Sequence, residues 1–178
     1  LIIDNYEEDK VEEMESENGP DEALGKRSLP FSKELWIERE DFMEEPAKKW
    51  FRLAPGSMVR LKSAYIVKCE SFIKDAEGNV TEIHCNYIPE SRSNNDTSGI
   101  SVKGTIHWVS VAHAVNAEVR LYDRLFTVEN PLGEEGDFKD TINPNSLQII
   151  TNAVVEPSLK QATAASRYQF IRKGYFCL

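Results

Sequence analysis

The chain has 178 residues, 21 Lys+Arg against 30 Asp+Glu, and a formal net charge of −9, a length that suits one sizeable domain or two small ones. No window approaches the roughly 18 apolar residues of a membrane helix and nothing reads as a signal peptide, so no membrane partner is expected. Cys69, Cys85 and Cys177 are an odd set without a CxxC spacing, which supports neither a disulfide framework nor a zinc ribbon and suits a reducing cytoplasm.

The acidity is uneven. Residues 1–47 hold 16 Asp+Glu and 5 Lys+Arg, whereas residues 48–178 hold 14 and 16. The acidic total therefore does not exclude RNA, because a local basic patch can form on the near-neutral remainder. With Leu1 at its start and "GYFCL" at its end, the chain reads as a piece of a longer protein.

"LIIDNY" reads as a short strand, and the strip "EEDKVEEMESENGPDEALG" as a solvated connecting segment. A strand pattern begins near "LPFSKELWIER", and "EDFMEEPAKKW" allows one or two helical turns, stopped by Pro46. "WFRLAPGSMVRLKSAYIVKCESFIKD" reads as two strands joined at "APGS", the second with imperfect alternation that implies a bend or bulge. "DAEGN" is a hairpin turn with "VTEIHCNYI" as its return strand, and residues 89–99 form a polar loop. "GTIHWVSV" and "EVRLYDRLFTV" read as strands around the tight connection "AHAVNA". A long loop follows, with a short helix at "DFKDTI", then strands at "LQIITNAVVE" and "RYQFIRKGYFCL", the last broken into a hairpin. Short strands with turns every 8–14 residues predict an all-β fold, sandwich or barrel.

The stretch from Gly104 to Phe126 gathers His107, Ser110, His113 and Asp123. On a strand, His107 and Ser110 point to opposite faces, which is poor geometry for a nucleophile and its base. The two histidines are six apart, unlike a helical metal pair. Structural histidines are the expectation, with no catalytic and no metal residue. "EVRLYDRLF" reads first as a strand with an Arg/Tyr solvent face and an ion pair, and an RNA-backbone role is its alternative.

"KKWFRLAPGSMVRLK" differs, because Lys48, Lys49, Arg52, Arg60 and Lys62 bracket a turn with Trp50 and Phe51 interleaved. Arg60 and Lys62, two apart, are expected on one strand face. Guanidinium forks suit base edges and phosphates, and aromatics offer stacking surfaces to unpaired bases. "RYQFIRKG" repeats the mixture with Arg167, Gln169 and Arg172, and Gln169 can both donate and accept, as a base edge requires. A basic solvated hairpin accounts for the same composition. Gly-rich phosphate loops and paired carboxylates in an apolar pocket are absent, so the chain reads as a binding module.

Taken together, "LIIDNY", "ELWIEREDFMEEPAKKWFRLAPG", "VRLKSAYIVKCE", "VKGTIHWVSVAHAVNAEVRLYDRLFTVENP", "INPNSL", "VEPSLK" and "YQFIRKGYFCL" resemble the C-terminal anticodon-binding region of the glutaminyl-tRNA synthetases. The resemblance runs in order along nearly the whole chain. It implies two small stacked β-barrels: an acidic connecting segment over 1–28 that packs on the second barrel, a first barrel over 29–103 and a second over 104–178. It implies an upstream catalytic domain with HIGH and KMSKS motifs, ATP and magnesium, so this piece alone should not aminoacylate. The implied partner is glutamine tRNA, held by its anticodon loop and stem, with no role for DNA. The implied anticodon-binding residues are Lys49, Arg52, Arg60, Lys62, Gln169 and Arg172. Arg52 resembles the reader of the third base, Arg60 and Lys62 the basic pair around the first, and Gln169 a member of the middle-base pocket. The chain departs from the family where Lys62 stands for a frequent arginine, Ile171 for a glutamate and Phe51 for a lysine. The glutamyl-tRNA synthetases of archaeal and eukaryotic type share the architecture. A free-standing hydrolase and a protein-interaction β-module are the rivals from other classes.

Overall fold

The computed structural model describes residues 1–133 and 135–178; Glu134, in the loop expected after residue 128, lies outside them. The described residues form strands and five short 3₁₀ turns with no longer helix, which bears out the all-β class. The largest sheet contains β1 (Ile2–Ile3), β5 (Met58–Leu61), β6 (Ile66–Lys74), β7 (Val80–Tyr87) and β8 (Thr105–Ile106), in the order β1-β7-β6-β5-β8. Four two-stranded sheets accompany it. One joins β2 (Glu12–Glu17) to β3 (Lys26–Phe31), and another joins β4 (Leu35–Ile37) to β9 (Trp108–Ser110). The other two join β10 (Val115–Tyr122) to β11 (Leu147–Val155), and β12 (Arg167–Phe170) to β13 (Gly174–Cys177). No described sheet closes on itself, so the expected barrels appear as open sheets. The edge strands β1 and β8 are two residues long, too short to carry a closing ladder.

Local chemistry accounts for the main hairpin. At "DAEGN" the Asp75 carboxylate accepts from the Asn79 backbone at 2.7 Å and Gly78 takes φ 86. The positive φ suits glycine, and the turn pairs β6 with β7 antiparallel, Cys69 opposite Cys85. The bend expected in the preceding strand is a full break. β5 ends at Leu61, Ser63 adopts φ 61, and β6 restarts at Ile66. "WFRL" does not form a strand, and the helical turn of "EDFMEEPAKKW" contracts to a 3₁₀ turn at Arg39–Asp41.

The acidic strip is more than a connector. Glu12 to Glu17 pair with β3 in the register Glu12↔Phe31 to Glu17↔Lys26. Met14 and Ser16, two apart, are each 1% exposed while the intervening glutamates face solvent. That is the period-2 signal of a half-buried strand, masked in the sequence by the density of charge around it.

Two compact units emerge, one of Leu1–Val115 with Glu156–Leu178 and one of Asn116–Val155. The first unit holds the core, with Phe31 fully buried at its centre. Phe31 meets the rings of Tyr6, Tyr65 and Trp108 edge-on at centroid distances of 5.2, 5.4 and 5.1 Å. Such pairs add about 0.5–1.5 kcal/mol each beyond area burial. In the second unit, β10 and β11 pair, Phe126 bridges Ile142, and the Phe126 and Phe138 rings lie 6.4 Å apart.

Candidate nucleic-acid interface

Backbone pairing places the first cluster of basic residues. Leu53 N–H donates to Asp41 O at 2.9 Å and Met43 N–H to Leu53 O at 3.1 Å. This short bridge brings Arg52 beside the 3₁₀ turn at Arg39–Asp41. Arg52 Nη1 donates to Glu40 O at 3.0 Å, its Nε lies 3.4 Å from Asp41 Oδ1, and its guanidinium lies 5.5 Å from the Trp50 ring centroid. Lys49 is exposed at φ 70. Phe51 is 50% exposed and lies under Lys103 Nζ, 5.3 Å from its centroid.

The β12–β13 hairpin supplies the second cluster. Gln169 pairs with Tyr175 across the ladder and its side chain is exposed. At the tip Arg172 takes φ 66, and its Nη1 and Nη2 donate to Asp41 Oδ1 and Oδ2 at 2.6 and 2.7 Å. The Asp41 carboxylate beside it raises the Arg172 pKa further above its usual value. Lys173 Nζ lies 3.3 Å from Glu38 and 3.2 Å from Glu40. Arg52 and Arg172, 120 positions apart in the sequence, thus meet at one carboxylate. No feature of "EREDF" singled out Asp41, a single carboxylate among several.

Arg60 and Lys62 are placed differently. Arg60 Nη1 donates to Ser91 O at 2.7 Å and reaches Ala64 O and Ser93 Oγ at 3.3 Å, and Nη2 pairs with Asp96 at 2.5 Å. It fastens the 91–98 loop to β5. Lys62 lies beyond the end of β5, so the two do not share a strand face as expected. Its backbone carbonyl accepts from Trp108 Nε1 at 2.9 Å, and its side chain makes no ion pair among the described residues.

The histidines are tied into the fold. His107 interrupts the expected strand between β8 and β9, and its Nε2 meets Glu156 Oε1 at 3.0 Å. The same carboxylate receives Arg27 Nε at 2.5 Å and Nη2 at 2.9 Å. Burial would raise the Glu156 pKa, but His107 and Arg27 outweigh it and hold the group at about 2. Ser110 does find a histidine, His113, with Oγ and Nδ1 2.9 Å apart, a contact the sequence did not suggest. Ser110 is 2% exposed and its Oγ is also bonded to Ser32 at 2.7 Å, so it is closed to a substrate. Among the described residues no group of three or more His, Cys, Asp or Glu side chains could hold a metal ion, and no helix is long and apolar enough to cross a membrane.

Two family models, both described as "tRNA synthetases class I (E and Q), anti-codon binding domain", match residues 1–88 and 105–178. The chain belongs to this family. It is 55% identical to a protein named glutamine–tRNA ligase from Rhodopirellula baltica, with 99% of the chain and 30% of that protein aligned. The proteins of that name from Vibrio parahaemolyticus and Clostridium kluyveri are 53% and 48% identical, over 99% and 100% of the chain and 32% of each protein. The chain thus spans about a third of the length of these relatives.

Proposed function

We propose that the chain is the anticodon-binding part of a glutamine–tRNA ligase, gripping the anticodon loop and stem of glutamine tRNA, whose anticodon reads CUG or UUG. The observation that carries this reading is the 55% identity over 99% of the chain to a glutamine–tRNA ligase. The geometry supports it, since Lys49, Trp50, Phe51 and Arg52 occupy one turn, and Gln169 lies on the hairpin whose Arg172 reaches the same Asp41. Unstacked loop bases expose the edges and faces that such side chains bind. A bidentate contact gives about 1–3 kcal/mol of discrimination, so a few suffice without a strongly basic domain. Arg60 and Lys62 are assigned to the first base, Arg60 exchanging part of its Asp96 pairing for RNA.

A catalytic domain upstream in the parent would bring ATP, magnesium and glutamine to the acceptor end, in the cytoplasm. The family model covers glutamate as well as glutamine enzymes, but the relatives cited carry the glutamine name, which favours the glutamine reading. The test is fluorescence anisotropy at low salt with the full chain and labelled anticodon stem-loops. A CUG loop should bind about tenfold or more tighter than a CUC loop, the scale of one bidentate base contact. Arg52→Ala should reduce that preference, and Gln169→Ala should reduce the preference for CUG over a loop changed at its middle base. Equal affinity for the two loops would overturn the reading.

A further inference from the structure

We propose that Asp41 is a positioning residue for this interface, a buried carboxylate that sets Arg52 and Arg172 in one fixed arrangement before RNA arrives. The inference rests on the RNA-reading function above. Asp41 is 0% exposed, so it cannot itself touch a nucleotide. Its two oxygens take both terminal nitrogens of Arg172 at 2.6 and 2.7 Å, and Arg52 Nε approaches Oδ1 at 3.4 Å. Paired, planar contacts of this kind fix a guanidinium in direction as well as place.

Both arginines keep part of their surface for a ligand, each side chain being 35% exposed. Arg172 retains its Nε and the second N–H of each terminal nitrogen, and Arg52 retains Nη2. The Trp50 ring and Glu40 O hold Arg52 from its other sides. Arg172 also adopts φ 66, a conformation unfavourable to L-residues, and the bidentate pair offsets that cost. At the rim of the tip Glu38 and Glu40 each pair with Lys173, and Arg39 of the same turn donates to Phe42 O at 3.3 Å. Without Asp41 two cations would face each other across a buried gap, and each long side chain would regain the rotamer freedom that binding must remove.

The test uses the full chain and stem-loops carrying CUG or single-base changes. Asp41→Asn keeps the size of the side chain and removes its charge. Electrostatics alone would make this variant bind every RNA more tightly, because a negative charge is gone. The positioning role instead predicts that the preference for CUG falls about tenfold while affinity for substituted loops holds or rises. A general unfolding would weaken all loops alike and would show as lost circular dichroism. A folded Asp41→Asn chain that keeps the wild-type preference overturns this proposal and leaves the function standing. A wild-type chain without any preference overturns the function instead. Should Asp41→Asn fail to fold, the wild type decides by ¹⁵N relaxation of arginine Nε–H groups without RNA. Arg52 and Arg172 should be rigid relative to exposed Arg124, and equal mobility of the three overturns the proposal.

Discussion

Glu156→Gln is a demanding test of how the first unit is held together. Glu156 begins the segment that returns to this unit, and its side chain is 9% exposed between Arg27 and His107. Its pKa is held at about 2 against an ordinary 4.5. A depression of about 2.5 units corresponds to about 3 kcal/mol at 1.36 kcal/mol per unit. Because the folded pKa is the lower one, this stabilisation is fully present above about pH 4.5 and is lost as pH falls toward about 2. Glutamine keeps one acceptor but no charge. The variant should therefore be less stable than wild type by about 3 kcal/mol at pH 7, narrowing to roughly half of that at pH 3. Urea unfolding followed by tryptophan fluorescence reads the right part of the chain, since Trp36, Trp50 and Trp108 all belong to the unit that contains Glu156. A gap that is the same at pH 7 and pH 3, or below about 0.5 kcal/mol at pH 7, would refute the ion-pair account, because the expected gap follows from the pKa difference alone.

Gly104→Ala should destabilise the chain by about 3 kcal/mol or more in the same assay, a large effect for one methyl group. A Cβ at that buried position would stand 1.7 Å from the Phe51 carbonyl oxygen, which is backbone and cannot swing aside. Asp4→Asn should lower the pKa of His84, read by NMR titration of the imidazole. The side-chain bond to Asp4 at 2.8 Å, with Glu82 nearby, holds that pKa above its ordinary 6.5. Since the folded pKa is the raised one, the contact stabilises below about pH 6.5 and the benefit fades as pH rises through the folded value. An unchanged titration midpoint would remove Asp4 as the cause.

The parts of the fold legible in the sequence depend on near neighbours. "DAEGN" makes its turn because Asp75 caps Asn79 and Gly78 accepts a positive φ. The hairpin in "RYQFIRKGYFCL" is set by alternation around Gly174. β2 was hidden because Met14 and Ser16 are two inward positions among many glutamates. Arg60 illustrates the opposite limit. Its basic, aromatic-flanked setting gives no hint of the partners the fold supplies, Ser91, Ser93 and Asp96, which its guanidinium meets before any RNA is present.

By itself the sequence determined the all-β class, the hairpin turns, the family, and which stretches carry cations beside aromatics. The class and the turns follow from periodicity and turn chemistry, which act over a few positions, and the family from a resemblance that runs along nearly the whole chain. Only the tertiary structure decided which charges are spent on one another. Asp41 meets Arg172 across 131 positions, and Glu156 meets Arg27 across 129. An ion pair requires two side chains in one place, and nothing local to either partner specifies the other.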